Sequence, residues 1–482
     1  MKFFNRFSKS QLILIVIILI GLFFRLYKVQ QFYTFDHDQD LFSWIVKDIW
    51  VDHHIRLIGQ ETSLDGVYIG PFYYYSLIPF FVIFKMDPIG AIAQAILISM
   101  LSFISIYYVF KKLFSENVGL IGAFLYAVSM PIALLDRWVV PTQPIFLWSI
   151  WFLYALFLLL KGKQAGLIYA GVLVGLIWHI HVGLLPLTIL IPIAIFLSKK
   201  KIKIKNLVTG LILFTMLMSP FWMFELRHGF LELRGFLNSL GLERGEASGF
   251  TRFIRIIDGS SFSITGAYLL KPKFHHFLSF LIIVSVVIYE KHRRVLANRQ
   301  ILLMFAWIAI LITAQQISKR AVPEYYFNSI IVVSLLVFSL FITNLKIFVI
   351  LPILLLLNLF FLITRPEMTN NYLQKKLLVE YISRDAKINN YPCVGIDYIA
   401  ELGKSVGFRY LFWKNNLKTV KPNIGAPNYK IVIPATSWEK VELKVDYKFG
   451  AYGVISPKPQ STTVEICNNP NNQFLPLLGF TR

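Results

Sequence analysis

Residues 11–26 read QLILIVIILIGLFFRL, and soon afterwards positions 35–40 read FDHDQD. An apolar run of this length, preceded by Lys2, Arg6 and Lys9, is typical of a first membrane-spanning helix with its basic end inside. No small-residue cleavage motif follows the run in the sequence, so we interpret it as a retained anchor rather than a removed signal peptide. The acidic stretch is therefore predicted to lie where the chain leaves the membrane on the outer side.

The composition agrees with a membrane protein. Hydrophobic residues make up 56% of the 482 residues and charged residues only 15%, whereas an average soluble protein has about 25% charged residues. The mean hydropathy is +0.62. The net charge of +22 comes with Lys and Arg clusters that lie between apolar runs and lack the aromatic interleaving of a nucleic-acid groove, so we expect no nucleic-acid partner.

The apolar runs predict an all-α polytopic membrane bundle of about eleven transmembrane helices, with the N-terminus cytoplasmic and the C-terminus outside. The predicted spans are 11–27, 89–110, 117–134, 144–160, 165–180, 183–198, 207–225, 275–290, 301–317, 326–343 and 347–363. The aromatic run 72–84 is short for a crossing, and we interpret it as re-entrant or interfacial. If it crossed, the later basic clusters would all move outside, against the positive-inside rule.

The same count defines five outer loops and a C-terminal region. The first loop (28–88) holds the acidic stretch and then an apolar face of helical period (41–49), which we expect to lie on the membrane surface. The fourth loop (226–274) is long and amphipathic. We therefore divide the chain into a transmembrane domain, 1–365, and a small extracytoplasmic α/β domain, 366–482.

The C-terminal region carries its own patterns. They predict helices over 372–382 and 399–412, and strands over 394–396, 429–433 and 462–466. Cys393 and Cys467 both lie in this region. An outer location permits a disulfide, but two free thiols are equally compatible with their wide spacing.

The acidic stretch is the main candidate for chemistry. A carboxylate at the membrane boundary needs a reason, because an ionised side chain is costly to place near hydrocarbon. Asp40 lies where the N-cap of a surface helix would begin, and Asp36 could simply be solvated. Asp38, between His37 and Gln39, is our preferred catalytic residue, with Asp36 and Asp40 kept as alternatives.

Other polar side chains fall on the predicted outer side. They are Asp136, Arg137, His179, His181, Glu225, Arg227, His228, Arg320 and Tyr325. Structural roles compete for each of them, because neighbouring acids and arginines form local ion pairs and arginines anchor helices at interfaces. His179 and His181 are two apart and do not share a helix face. No set of ligands has convincing metal spacing in the sequence.

With these motifs the chain resembles the polytopic glycosyltransferases of the C-type fold (GT-C), which include protein O-mannosyltransferases and the lipid A aminoarabinose transferases. It is most similar to the bacterial branch of unassigned substrate. The matching stretches are Asp38-Gln39, Gly70 to Tyr75, Lys111 to Phe114, Arg137 before Pro141, His179 to Leu185, Ser219-Pro220, Phe224 to Gly229 and Tyr325-Tyr326. This chain has Asp40 and Leu41 where the branch pattern has a glycine and a basic residue, so the choice among the three acids stays open.

The resemblance implies an inverting transfer of a sugar from a polyprenyl-phosphate donor to an acceptor hydroxyl on a protein, glycan or lipid, at the outer face of the cytoplasmic membrane. It maps the base to Asp38. Positive charge at the donor phosphate is needed. The candidates for it are Arg137, Arg227 and His228, then Arg320 and Tyr325. The remaining predicted pocket residues are Asp136, His179, His181, Glu225 and Gln39.

Two alternatives accompany this hypothesis. Some relatives use a divalent cation, Mg²⁺ or Mn²⁺, and others do not, so the cofactor stays open. The rival class of protein is a transporter or flippase for lipid-linked sugars without transferase activity. A transporter predicts repeats and broken helices in matching halves, and the sequence shows neither.

Overall fold

The computed structural model describes residues 8–62, 64–239, 249–269, 275–293, 296–318, 324–369, 371–401, 403–434, 445–458 and 463–481. The N-terminal helices are α1 (Lys9–Leu26), α2 (Val29–Phe32), α3 (His37–Trp50), α4 (Phe72–Ile83), α5 (Ile89–Leu113), α6 (Glu116–Val128), α7 (Met130–Arg137), α8 (Ile145–Leu160) and α9 (Ala165–Ile180). The middle helices are α10 (Leu190–Ser198), α11 (Ile204–Leu217), α12 (Ser219–Arg227), α13 (Leu231–Ser239), α14 (Gly249–Ser261) and α15 (Ala267–Leu269). The later helices are α16 (His275–Arg293), α17 (Asn298–Ile317), α18 (Asn328–Leu345), α19 (Ile350–Thr364), α20 (Tyr372–Ile388), α21 (Arg409–Lys414) and α22 (Val464–Asn468). Within the described residues, four short non-α helical stretches are 3₁₀ (Val182–Ile189, Glu324–Phe327 and Pro470–Asn472) or π (Phe262–Gly266).

Every predicted span coincides with helical structure. Within the described ranges, four single helices (α1, α5, α17 and the span Tyr325–Leu345 that contains α18) are long and apolar enough to cross a membrane. Two bent pairs, α6 with α7 and α11 with α12, raise this number to six. The remaining predicted spans coincide with shorter apolar segments: Ile145–Leu160, Ala165–Ile180, Val182–Ser198, His275–Val286 and Ile350–Thr364. The chain is a multi-pass helical membrane protein.

The two bends have local causes. Helices α6 and α7 meet at 69°, and α11 and α12 meet at 56°. A proline stands in the first turn after each break, Pro131 in α7 and Pro220 in α12. Because proline lacks a backbone N–H and restricts the residue before it, it starts a new helix more readily than it continues an old one. Ser129 caps the restarted helix α7 by accepting the N–H of Ile132.

The aromatic run predicted to be re-entrant or interfacial forms α4. This helix has only 12 residues, about 18 Å at 1.5 Å per residue, whereas the hydrocarbon core of a bilayer is about 30 Å thick. Tyr73, Tyr74, Leu77 and Phe81 are fully buried. The helix packs on α3 and α5, so it belongs to the protein core at one end of the bundle.

A small α/β domain follows the bundle. Its sheet has the strand order β2-β1-β3-β5-β4, with β1 (Val394–Ala400), β2 (Thr419–Val420), β3 (Asn428–Ile433), β4 (Tyr447–Phe449) and β5 (Tyr452–Ile455). Strand β1 pairs in parallel with β2 and β3, and β5 pairs antiparallel with β3 and β4. The disulfide Cys393–Cys467 joins the residue before β1 to α22, which resolves the alternative that the sequence left open.

Two secondary-structure predictions in this domain are wrong. The helix predicted over 399–412 is shorter, because Ile399 and Ala400 extend β1 and pair with β3, and α21 begins only at Arg409. The strand predicted over 462–466 is helix α22 in its described part, and the Thr463 side chain caps that helix by accepting the N–H of Ile466.

The expectation that α3 lies on the membrane surface is also wrong. Leu41, Phe42, Ile45 and Val46 on its apolar face are fully buried. They share one hydrophobic core with α4 and with residues of the C-terminal domain. The same amphipathic pattern suits a membrane surface and a protein surface equally well, and here the C-terminal domain covers the helix.

Candidate active site

The three acids lie at the start of helix α3, with Asp38 and Asp40 in its first turn. Asp36 is its N-cap, and its backbone N–H donates to Oε1 of Gln39. The Gln39 amide nitrogen in turn donates to the carbonyl oxygen of Val139 at 2.8 Å. Gln39 therefore ties the start of α3 to the segment after α7 and fixes the direction in which its neighbours Asp38 and Asp40 point.

Asp36 and Asp40 are both bound to the C-terminal domain. The buried ammonium of Lys375 on α20 donates to Asp36 at 3.0 Å. The Asp40 carboxylate accepts the backbone N–H groups of Arg409 (3.2 Å) and Tyr410 (2.8 Å) at the start of α21. A carboxylate at the first N–H groups of a helix is a favourable cap. These two acids hold the C-terminal domain against α3.

Asp38 has different surroundings. The Gln60 side chain hydrogen-bonds its carboxylate, and burial raises its pKa above the usual range despite that bond and the nearby His37. Its charge acts on the phenol groups of Tyr73, Tyr74 and Tyr325. Asp38 therefore lies among tyrosines of α4 and of the segment before α18, a group called the Asp38 pocket below.

Gln60 was missed by the sequence analysis, because a neutral amide in a loop gives no pattern. Its backbone N–H donates to the Tyr74 hydroxyl at 3.1 Å, and its carbonyl accepts the N–H of Ile69 at 3.0 Å. A Cβ on Gly59 would lie 2.0 Å from the Tyr74 ring, so only glycine allows this approach. The loop thus presents the Gln60 amide to Asp38.

Residues of three other loops approach the pocket through Tyr325. Its ring centroid lies 5.4 Å from that of His181 and 6.1 Å from that of Trp138. Burial lowers the pKa of His181 to about 4, so its ring is neutral near pH 7. The Gly183 N–H donates to its Nδ1 at 2.9 Å, which leaves the ring proton on Nε2. The structure therefore brings together Asp38, His181 and Tyr325, which belong to the predicted first, third and fifth outer loops.

His179 has a positioning role beside this pocket. Its Nε2 lies 2.9 Å from the carbonyl oxygen of Leu217 at the end of α11, and its Nδ1 accepts the N–H of Phe72 at the start of α4. A Cβ on Gly70 would lie 2.3 Å from this ring. Gly70 thus lets the first loop approach α9, and His179 fixes α4.

Glu225 and Glu232 form a second acidic pair, which anchors the predicted fourth loop. The Glu225 carboxylate accepts the N–H groups of Glu232 (2.9 Å) and Leu233 (3.0 Å) near the start of α13. Glu232 accepts the Trp178 indole N–H at 2.7 Å and the Tyr68 N–H at 3.1 Å. Burial raises the pKa of Glu232 to about 7. Glu225 is thus a helix cap, and Glu232 joins the fourth loop to the first.

Asp136 and Arg137 use their polar atoms inside the bundle. Asp136 forms a buried ion pair with Arg25 at 2.7 Å and accepts the Tyr126 hydroxyl at 2.8 Å. The Arg137 guanidinium donates to the carbonyl oxygens of Phe24 (2.5 Å) and Tyr27 (3.1 Å). A cation on the last carbonyls of α1 is stabilised by the helix dipole. The structure places both residues in the packing of α1.

The other residues predicted to bind the donor phosphate differ in where the structure places them. Arg227 and His228, at the end of α12, are exposed, and the His228 ring stacks on Phe224 with centroids 4.2 Å apart. Arg320 lies outside the described residues. Tyr325 alone of these candidates is shown beside Asp38.

One group of side chains with metal-ligand character lies elsewhere. Ligand atoms of Asp258, His275 and His276 lie within 4.8 Å of one another. Asp258 and His275 are 17 residues apart, on different helices, so no sequence spacing indicates the group. The three side chains are of the types that bind transition-metal cations.

The helical bundle, the short helix α4 and the loops that meet over Asp38 together define a class of fold. The chain has the GT-C glycosyltransferase fold. Residues 69–224 match the family described as dolichyl-phosphate-mannose-protein mannosyltransferase. The matched range runs from just before α4 into α12 and contains the Gly70-to-Tyr75 and His179-to-Leu185 stretches.

Solved structures of this fold are similar over most of the chain. The crystal structure of ArnT from Cupriavidus metallidurans bound to undecaprenyl phosphate has a TM-score of 0.57 and 12% identity, over 94% of this chain and 100% of that one. Its apo structure gives the same values. The Archaeoglobus fulgidus oligosaccharyltransferase in complex with Zn and sulfate has a TM-score of 0.43 and 14% identity, over 88% of this chain and 68% of that one. No curated protein matches the chain by sequence.

Proposed function

We propose that the protein is an inverting glycosyltransferase that moves a sugar from a polyprenyl-phosphate donor to an acceptor hydroxyl, with Asp38 as the general base. One observation carries the assignment of the base. Asp36 and Asp40 are bound to Lys375 and to the start of α21, whereas the Asp38 carboxylate interacts with Gln60 and lies near the phenol groups of Tyr73, Tyr74 and Tyr325. The bound undecaprenyl phosphate of the structurally similar ArnT supports a donor of the polyprenyl-phosphate class.

The proposed step needs one base. The acceptor oxygen attacks the anomeric carbon, its proton passes to the Asp38 carboxylate, and the bond between that carbon and the phosphate oxygen breaks. The electron pair leaves with polyprenyl phosphate, which needs no proton, so a second carboxylic acid is unnecessary. Burial raises the pKa of Asp38 and makes the ionised carboxylate a stronger base, provided that it is deprotonated at the working pH.

The leaving phosphate needs donors and positive charge. The neutral His181 ring carries a proton on Nε2, and the Tyr325 ring lies beside it, with the two ring centroids 5.4 Å apart. The Tyr325 hydroxyl is a second possible donor. For the charge we propose Arg320, because it precedes Tyr325 by only five residues in the chain. Arg227 is the second choice, because its side chain is exposed at the end of α12.

A cation at Asp38 is not part of the proposed step. Mg²⁺ and Mn²⁺ prefer several oxygen ligands from carboxylates. Within the described part of the chain, Asp36 and Asp40 direct their carboxylates to the C-terminal domain, so Asp38 does not share a ligand set with them.

We propose that the pocket opens on the outer face of the cytoplasmic membrane, with the N-terminus inside and residues 366–482 outside. The basic clusters between predicted spans support this orientation by the positive-inside rule. The disulfide Cys393–Cys467 supports it independently, because structural disulfides belong to oxidising compartments. The acceptor is a protein, glycan or lipid displayed on that side.

The test is transfer of label from radiolabelled polyprenyl-phosphate sugars in membranes that contain the wild type, Asp38→Asn or Asp40→Asn at equal levels. We expect transfer by the wild type and by folded Asp40→Asn, and none by Asp38→Asn. Equal transfer by the wild type and Asp38→Asn would remove Asp38 as the base. Labelled lipid that crosses the bilayer without any transfer would favour a flippase.

A further inference from the structure

Asp258, His275 and His276 form a cluster that the proposed transfer does not use. Asp258 lies in α14, and the two histidines open α16. The Asp258 Oδ1 atom lies 2.7 Å from Nε2 of His275 and 3.4 Å from Nε2 of His276. The two imidazole centroids are 3.9 Å apart. The Nε2 atoms of two consecutive histidines therefore both face the carboxylate of Asp258.

A hydrogen bond accounts for the contact of Asp258 with His275 but not for its longer contact with His276. The 2.7 Å contact is a normal hydrogen bond, but 3.4 Å between nitrogen and oxygen is longer than a good one. Tetrahedral Zn²⁺ binds nitrogen and oxygen at about 2.0–2.2 Å, which places its ligands on the order of 3.3–3.5 Å from one another. The second histidine is thus at the separation of a ligand pair, and all three atoms lie within 4.8 Å.

The backbone around the cluster is already held in place. The Thr265 hydroxyl in the π-helical stretch Phe262–Gly266 donates to the carbonyl oxygen of His275 at 3.3 Å. The Ser279 hydroxyl donates to the carbonyl oxygen of Ser261 at 3.1 Å. These contacts dock the first turn of α16 on the end of α14. Irregular π-helical turns of this kind occur frequently at functional sites.

The exposure of the three side chains suits a bound cation. His275 is almost fully buried, whereas His276 is 45% exposed and Asp258 34% exposed. A cation can therefore reach the cluster from solvent, and a water can complete its coordination. Two imidazoles and one carboxylate suit Zn²⁺ and similar transition metals, because Mg²⁺ and Ca²⁺ prefer oxygen ligands.

We propose that Asp258, His275 and His276 bind one Zn²⁺-class cation that clamps α14 to α16. Neither helix contributes a residue to the Asp38 pocket as described above. The proposed transfer step does not use these three side chains. Metal binding to a site that the unfolded chain lacks also stabilises the folded protein.

The test is a Zn²⁺ titration of the full chain, purified in detergent with an affinity tag that contains no histidine and stripped with chelator. We expect one Zn²⁺ per chain by calorimetry, and a visible absorption spectrum of tetrahedral Co²⁺ that Zn²⁺ abolishes. Asp258→Asn and His276→Ala should each weaken Zn²⁺ binding by more than about tenfold, since loss of even an outer-shell partner costs about 10- to 100-fold.

His54→Ala is the matched control. His54 also follows a histidine and lies beside an aspartate, 3.1 Å from Asp48, and it is 50% exposed. Within the described residues, however, His53, His54 and Asp48 do not form a group of three converging ligand atoms. This variant should bind Zn²⁺ as the wild type does. Absence of a saturable site in the wild type, or unchanged Zn²⁺ affinity in His276→Ala, would overturn the proposal.

The melting temperature is a second measurement, which keeps the proposal testable if one of the variants folds poorly. Zn²⁺ should raise the melting temperature of the wild type and of Asp38→Asn, but not that of His276→Ala. Of the three ligands, His276 has the most exposed side chain, so its replacement should disturb folding least. Because no donor lipid is present, this result does not depend on transferase activity. Loss of transfer in Asp38→Asn together with intact Zn²⁺ binding would separate the two sites.

Discussion

Asp38 and Asp40 lie two residues apart on α3, and burial raises the pKa of both carboxyl groups. Their surroundings are nevertheless opposite. Asp40 accepts two backbone N–H groups from a helix of the C-terminal domain, while Asp38 meets an amide and several phenols in a pocket. A raised pKa therefore does not by itself identify a catalytic acid, and the partner of each carboxylate decides its role.

The largest expected effect separates the two acids by activity. Asp38→Asn removes the proton acceptor and should lower the transfer rate by about a hundred- to ten-thousandfold, the usual contribution of general base catalysis. Its melting temperature should stay near that of the wild type. Radiolabel transfer and thermal unfolding of the same preparation measure both. A variant that keeps more than a tenth of the activity would contradict the assignment.

The second effect separates them by stability. Asp40→Asn loses one of two acceptor oxygens for the start of α21 and places an amide N–H near buried donors, which costs about 1–3 kcal/mol of unfolding free energy. Thermal unfolding of the purified protein measures the change. The folded fraction should still transfer sugar. If Asp40→Asn were fully stable but inactive, the roles of the two acids would have to be exchanged.

A smaller effect concerns the pH dependence. The hydrogen bond from Gln60 lowers the pKa of Asp38 against the effect of burial, so Gln60→Leu should raise that pKa further. The base must be ionised, and the acid limb of the transfer rate should therefore move to higher pH, while the rate at alkaline pH changes little. Gln94→Leu, which removes a buried amide bonded to Ser76, should leave the limb in place. A rate profile of Gln60→Leu identical to the wild type would exclude the contact with Asp38.

The smallest effect extends the comparison to Glu232. Its pKa of about 7 lies above the ordinary value of 4.5, so the folded state holds the proton more tightly than the unfolded state. The resulting stability is fully present below the unfolded pKa and is lost as the pH rises through about 7. The melting temperature of the wild type should fall from about pH 5 to about pH 8 more than that of Glu232→Gln. Parallel curves for the two proteins would show that Glu232 is not protonated in the fold.

The sequence predicts the bundle well because the signal is local. Each span is a continuous apolar run, and no knowledge of distant partners is needed to recognise it as a helix. The bends are less predictable. Pro131 and Pro220 mark them, but proline in a membrane helix is compatible with a straight span or a broken one.

The choice among the acids could not be made from the sequence. The partner of Asp36 is 339 residues away, and the partner of Asp40 is 370 residues away. No periodicity or spacing connects such positions. The same holds for the apolar face of α3, whose pattern does not distinguish a lipid surface from the C-terminal domain that covers it.

The long separation between α3 and its partners has a consequence for biosynthesis. Translation produces Asp38 early, but the N–H groups of Arg409 and Tyr410 that fix the neighbouring Asp40 emerge hundreds of residues later. We expect nascent chains halted at residue 408 to insert their helices but not to transfer sugar, because α3 still lacks this support. Transfer by such halted chains would show that the order of synthesis does not delay activity. If it does, activity begins only after translation has passed Tyr410.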